Sequence, residues 1–191
     1  MPQRKKNLPM SNLVLGVCGG IAAYKSAFLA SGFSRKGFAV RTIMTSSAGK
    51  FITPLTFETL TGEIVYTDLF DKNRLENHTA LARWADLAVV APATATTMAR
   101  MAAGFADELL SAFLLDFSGP VFLCPSMHGN MLKKPPVKHN ISLLKERGYR
   151  FIGPVEGRLA GGDSGPGRME EPERIIKEVE SFLGRGSAES G

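Results

Sequence analysis

Leu13-Val14-Leu15-Gly16-Val17-Cys18-Gly19-Gly20-Ile21-Ala22-Ala23-Tyr24-Lys25-Ser26 is the stretch that decides the fold. Its first six residues are compact and apolar on both alternations, which reads as a strand buried on two faces. A glycine pair ends the run. From Ile21 to Arg35 the apolar residues then recur with helical periodicity. A buried strand that turns through glycine into a helix is the opening of a parallel α/β unit.

The same grammar repeats outward. Phe38 to Met44 reads as a second strand, ending at Thr45-Ser46-Ser47, and Pro54 to Thr61 as a short helix with proline at its start. Glu63 to Ala80 is polar and weakly patterned, and is expected to be a loop. Ala88-Val89-Val90-Ala91-Pro92 is the clearest buried strand, followed by helical material from Thr96 to Phe117. Pro120 to Cys124, a helix from Pro136 to Arg147 and a last strand at Tyr149 to Ile152 complete the alternation. Residues 153–170 are rich in glycine. A helix from Pro172 to Leu183 would bury Ile175, Ile176, Val179 and Phe182 on one face. The expected fold is therefore α/β, a Rossmann-like (flavodoxin-like) three-layer sandwich around a parallel sheet. Residues 12–183 form its single domain, 1–11 a flexible leader and 184–191 a disordered tail.

Composition narrows the function. The 191 residues suit one domain, and 44% hydrophobic with 21% charged is a globular balance. The net charge of +5 is partly concentrated in Arg4-Lys5-Lys6 and otherwise scattered, so phosphorylated small molecules fit better than nucleic acid. Cys18 and Cys124 lie in apolar runs, as buried thiols of a reducing compartment do, and no metal-ligand spacing is present. The chain start lacks a signal-peptide apolar region, and no run nears the roughly 18 apolar residues of a membrane span. The expectation is a cytoplasmic protein without metal, membrane or nucleic-acid partners.

In a parallel sheet, ligands bind beyond the carboxyl ends of strands. Three such ends carry unusual sequence. Cys18 to Ser26 offers helix-start amides to a phosphate or a flavin edge, or is a tight turn without a ligand; it matches neither GxGxxG nor a P-loop. Thr45-Ser46-Ser47-Ala48 offers hydroxyls that cap a helix or bind phosphate. Ala91 to Thr97 combines small residues with hydroxyls, leaving space for a flat ring, or forms a capped turn. His78 precedes Trp84 in the polar stretch, where a histidine is either a surface residue or a proton carrier. Pro125-Ser126-Met127-His128-Gly129-Asn130-Met131 could line a pocket, with methionines that equally fill a core. Gly161 to Met169 is a candidate lid or a surface loop.

Taken in order, these segments resemble the flavin-containing, homo-oligomeric cysteine decarboxylases, and among them the phosphopantothenoylcysteine decarboxylases. GVCGGIAAYKS resembles the family's opening. HTALARWADLAVVAPATATT resembles its catalytic-histidine segment running into a PASANT-type flavin motif. PSMHGNM is similar to its PxMNxxM motif, and GGDSGPGRMEEP to its substrate-recognition flap. The resemblance spans residues 12–183. It implies FMN bound where subunits of a homotrimer meet, sometimes within dodecamers. It implies flavin contacts at Gly19, Gly20, Ile21, Thr45, Ser46, Ser47, Thr94, Ala95, Thr96, Thr97 and Ser126. It further implies substrate contacts at Met127, His128, Gly161, Gly162 and Arg168, and His78 as active-site base. The implied reaction oxidises the cysteinyl moiety of 4'-phosphopantothenoylcysteine to a thioaldehyde that loses carbon dioxide, then returns the hydride to give 4'-phosphopantetheine.

Three positions depart from the family pattern. His128 replaces the PxMN asparagine, Thr96 the asparagine of the PASANT motif, and Gly161 the flap cysteine that donates a proton in the final reduction. These departures leave other activities open: decarboxylation of peptidyl carboxy-terminal cysteine, flavin reduction, or a non-catalytic regulatory role. Flavin prenyltransferases share the architecture but explain neither the His78 segment nor the PxM motif. The ligase domain fused to many bacterial relatives is not in this sequence.

Overall fold

Six strands run parallel in the order β3-β2-β1-β4-β5-β6 in the computed structural model, which describes residues 11–70, 78–158, 162 and 164–189. They are β1 (Asn12–Val17), β2 (Ala39–Met44), β3 (Val65–Tyr66), β4 (Leu87–Ala93), β5 (Val121–Pro125) and β6 (Arg150–Phe151). The register pairs Asn12 with Ala39 through Val17 with Met44 on one side of β1, and Leu13 with Leu87 on the other. With strands on both sides, successive β1 side chains enter opposite layers. Leu13, Leu15 and Val17 join one core; Val14 and Cys18 join the other. That double burial is why the strand is continuously apolar.

The first layer is covered by α1 (Ala23–Arg35), α2 (Pro54–Thr61) and α8 (Pro172–Glu189), which contribute Leu29, Phe33, Phe57, Ile175 and Val179. The second is covered by α3 (His78–Trp84), α4 (Ala95–Ala103), α5 (Leu109–Asp116) and α7 (Pro135–Glu146), with Leu81, Met98, Leu110, Phe113 and Leu144 inside. The three-layer α/β sandwich is the expected one.

Local departures have local causes. The polar stretch 63–80 is not all loop. Val65 and Tyr66 pair with Thr42 and Ile43, a strand too short to show a period, and His78 opens α3. The helical material 96–117 is two helices, because Gly104 closes α4 in the left-handed region (φ 75°) and a Glu108–Ser111 capping box starts α5. Residues 153–170 contain an antiparallel hairpin, β7 (Val155–Arg158) and β8 (Ser164–Arg168). The short α6 (Gly129–Leu132) follows β5. Helix α8 runs from Pro172 to Glu189. Once nucleated, a helix gains a hydrogen bond for each residue added. The leader to Met10, Gly161, Ser190 and Gly191 lie outside the described residues. No described helix is long and apolar enough to cross a membrane.

Candidate active site at the switch point of the sheet

The chain leaves β1 toward β2 on one side and β4 toward β5 on the other, so their carboxyl ends flank the crevice at which doubly wound sheets bind ligands. A cavity of about 890 Å³ opens there. Gly19, Gly20 and Ile21 line it from the β1–α1 turn, Thr45 and Ser47 from the end of β2, and Thr94, Ala95, Thr96 and Thr97 from the start of α4. Ser126, Met127 and His128 enter after β5, and Arg168 from the end of β8.

The two glycines of the first turn do different work. A Cβ on Gly19 would stand 2.4 Å from Ser47 Cβ, so only glycine lets the β1 and β2 loops close together. A Cβ on Gly20 would meet nothing nearer than Thr94 Cγ2 at 4.0 Å; this position faces the open cavity. Helix α1 starts without a side-chain cap and without an acidic residue in its first turn. Ala23 N–H and Lys25 N–H turn back to the Gly20 and Ala22 carbonyls, so what is left for an anion is the positive dipole end of α1.

Hydroxyls frame the rest of the crevice. Thr45 Oγ1 accepts from Ala48 N–H at 3.2 Å and pairs with Ser47 Oγ at 3.1 Å. Thr94 caps α4, accepting from Thr97 N–H at 3.3 Å. Thr97 Oγ1 donates to Cys18 Sγ at 3.1 Å. Burial pushes the Cys18 thiol up to about 11, so it stays protonated behind the threonines and is no nucleophile near neutral pH.

The opposite wall is set by the β5–α6 turn and the hairpin. His128 is the N-cap of α6, and its Nδ1 accepts from Asn130 N–H at 3.2 Å. With Nδ1 an acceptor, the neutral ring carries its proton on Nε2. Met127 N–H donates to the Gly167 carbonyl at 2.9 Å. Gly167 has φ 129°, and a Cβ there would lie 2.1 Å from the Met127 carbonyl oxygen, so the two backbones touch where only glycine fits. Among the cations, Arg100 is held by Asp107 at 3.2 Å and Glu108 at 3.3 Å. Burial raises the Glu108 carboxyl, and the Arg100 charge opposes that rise.

Three sequence expectations are not met in this crevice. Ser46 is exposed and lines a separate pocket of about 130 Å³ with Asp68 and Asp107, because neighbouring residues of the β2 turn face opposite ways. His78 does not line the cavity: it begins α3, which packs on α5, and its buried Nδ1 has no hydrogen-bond partner among the described residues. Gly162 is not at the cavity wall, and Gly161 lies outside the described residues. Tyr24, Lys25 and Met131, which fall in the candidate segments without an assigned contact, line it too, as does Arg100, which sequence reading overlooked. Helical spacing carried a signal for Lys25, four residues after Ile21, and for Arg100, four after Thr96.

Fold and crevice together define a doubly wound α/β protein with a large cleft at its switch point. The chain belongs to the Flavoprotein family, whose model matches residues 2–184. It is 47% identical over 174 residues to the coenzyme A biosynthesis bifunctional protein CoaBC of Bacillus subtilis, covering 90% of this chain and 43% of that protein. The chain thus spans less than half the length of such curated relatives. Among solved structures, it is similar to a PPC decarboxylase mutant complexed with pantothenoylaminoethenethiol, with a TM-score of 0.81 and 30% identity over 91% of this chain and 98% of that one. It is also similar to the FMN-dependent cysteine decarboxylase SpaF, with a TM-score of 0.78 and 32% identity over 91% and 97% of the two chains.

Proposed function

We propose that this chain is an FMN-dependent decarboxylase that converts the cysteinyl moiety of 4'-phosphopantothenoylcysteine, giving 4'-phosphopantetheine in coenzyme A biosynthesis. The observation that carries the reading is the switch-point cavity, walled by the uncapped glycine turn, the hydroxyls of three strand ends and the PSMH turn. The similarity to CoaBC and to a PPC decarboxylase supports it.

The residues present fit FMN. Gly20 leaves room for a flat ring, the positive end of α1 suits a phosphate, and Thr45, Ser47, Thr94, Thr97 and Ser126 supply polar contacts. When bound, FMN supplies the two-electron acceptor that makes the substrate's C–S carbon an electron sink for loss of the neighbouring carboxylate. The protein's own part is orientation and proton handling. Met127 lines the cavity where the reacting carbon would lie, and His128 would offer its Nε2–H to the carboxylate. Gly161 and Gly162 would belong to the flap over the substrate.

His78 is the proposed base, acting from a neighbouring copy. It sits outside the cavity of its own chain, so a complete site needs a second subunit. The exposed Ile21, Tyr24 and Phe28 form a stripe at helical spacing beside the cavity, the kind of patch that a homotrimer, alone or within a dodecamer, would cover. The protein is placed in the cytoplasm, with small phosphorylated thiol acids as its substrates.

Gly161 and His128 favour a second reading, in which the product leaves as the oxidised enethiol, or the thiol acid is a peptide's carboxy-terminal cysteine. Anaerobic incubation of the FMN-loaded protein with 4'-phosphopantothenoylcysteine separates the two. Expected are carbon dioxide and 4'-phosphopantetheine. Accumulated enethiol, which lacks two hydrogens, supports the second reading; an unchanged flavin spectrum without carbon dioxide overturns the first.

A further inference from the structure

Two cations of the cavity wall share one carboxylate. Lys25, in the first turn of α1, is only 5% exposed and lies directly behind the glycine turn. Its Nζ donates to the Met169 carbonyl at 3.2 Å and pairs with Glu171 Oε2 at 3.0 Å. The other oxygen of Glu171, Oε1, accepts from Arg168 Nη2. Arg168 ends β8, lines the cavity, and has its guanidinium packed over Gly157.

Glu171 is itself held firmly. Its carbonyl accepts the N–H groups of Arg174 and Ile175, both at 3.1 Å, so it stands at the N-cap of α8. That helix is locked to α1, with Ile176 against Gly32. The carboxylate therefore has a position fixed by two packed helices, and it fixes the cations in turn.

Charge decides what the cluster is for. Arg100 faces two carboxylates, so its charge is more than balanced. Glu170, beside the cluster, pairs with Arg174 at 3.9 Å. Arg174 also pairs with Glu178 at 3.4 Å, and among the described residues Glu171 is the one carboxylate that Lys25 and Arg168 share. Buried Lys25 has little access to an incoming group, whereas the Arg168 side chain is 42% exposed. A guanidinium held at one edge keeps other N–H groups free for a planar or tetrahedral oxyanion. The departing carboxylate already has a donor in His128, and a full positive charge added there would oppose loss of carbon dioxide. A phosphate that passes through the reaction unchanged carries no such cost.

The geometry points to Glu171 as a positioning residue that presents Arg168 to the non-reacting phosphate of the substrate, with Lys25 anchoring its other oxygen. This rests on the function proposed above, and the test separates the two. Calorimetry on the FMN-loaded protein compares 4'-phosphopantetheine with unphosphorylated pantetheine, needing no turnover. Wild type should prefer the phosphorylated ligand. Arg168→Gln and Glu171→Gln should each lose about tenfold of that preference, on the scale of one hydrogen bond to a charged group. The double variant should lose no more than either single one, because Glu171 acts through Arg168. In turnover, Glu171→Gln should raise KM far more than it lowers kcat.

A merely structural role for Glu171 would weaken both ligands alike and add to Arg168→Gln, which overturns the inference. Loss of FMN with the preference intact overturns it also, placing Arg168 on the cofactor. If wild type binds neither ligand, the proposed function fails and takes this inference with it. If wild type binds and both variants keep the preference, only the inference fails.

Discussion

His78, the proposed base, lies outside the cavity of its own chain, whereas Cys18 is buried behind the cavity wall. A base that carries a proton in the transition state contributes about 10²–10⁴ in rate. His78→Asn should therefore cut kcat at least a hundredfold while FMN content stays at the wild-type level. Because His78 lies outside its own chain's cavity, co-expression with Gly20→Val should restore part of the activity in mixed oligomers. Recovery of none in mixed oligomers places the histidine in cis. Cys18 is instead kept neutral by burial, with its thiol raised from the ordinary 9.0 to about 11. Below pH 9.0 both folded and unfolded thiols hold their protons, and the native state loses nothing. Between pH 9.0 and about 11 only the unfolded thiol ionises, so stability falls as pH rises through this window. Urea titrations at pH 8 and pH 10.5 on wild type and Cys18→Ala should show the alkaline loss reduced in the variant. Cys124 is raised in the same direction by the same cause.

At the scale of elements, the site is a set of loops brought to one edge by a sheet, and its glycines are of two kinds. Gly19→Ala drives a methyl group into Ser47, so the β1 and β2 loops must part. It should lower Tm by several degrees and release FMN as a consequence. Gly20→Val points into open cavity instead. It should leave Tm of the FMN-free protein within a degree or two and reduce FMN affinity at least tenfold, read by flavin fluorescence. The reverse pattern would mean that the turn is packed for the fold alone. The hairpin was the element least legible beforehand. The span from Val155 to Arg168 has five glycines in fourteen residues, three of them in the strands, and glycine shows no alternation for a period to detect. Its pairing, and its seat against Met127 through Gly167, come from backbone groups that no side-chain pattern encodes.

For the whole molecule, the exposed apolar side chains around the cavity are the largest unspent feature. Ile21, just before α1, and Tyr24 and Phe28 on it are each more than half exposed, while the other face of the helix is buried. If this stripe is covered by another copy, Phe28→Glu should dissociate the protein to a 20.6 kDa species in sedimentation experiments and abolish turnover together. A wild-type protein that sediments as a monomer, yet turns over, removes the need for a second subunit.

The sequence by itself determined the layers. A strand buried on both faces must be apolar at every position and a covering helix apolar on one, and residues 13–35 state both patterns without reference to anything distant. It also placed most of the crevice, because in a parallel sheet the strand ends that carry glycines and hydroxyls converge wherever the strands are ordered. Tertiary structure decided which of those residues meet. That Ser47 reaches the wall while Ser46 does not depends on the direction of one turn. That Glu171 holds Lys25, 146 positions earlier, depends on α8 packing back onto α1. Such pairings join residues far apart in the chain, and local propensity contains no term that links them.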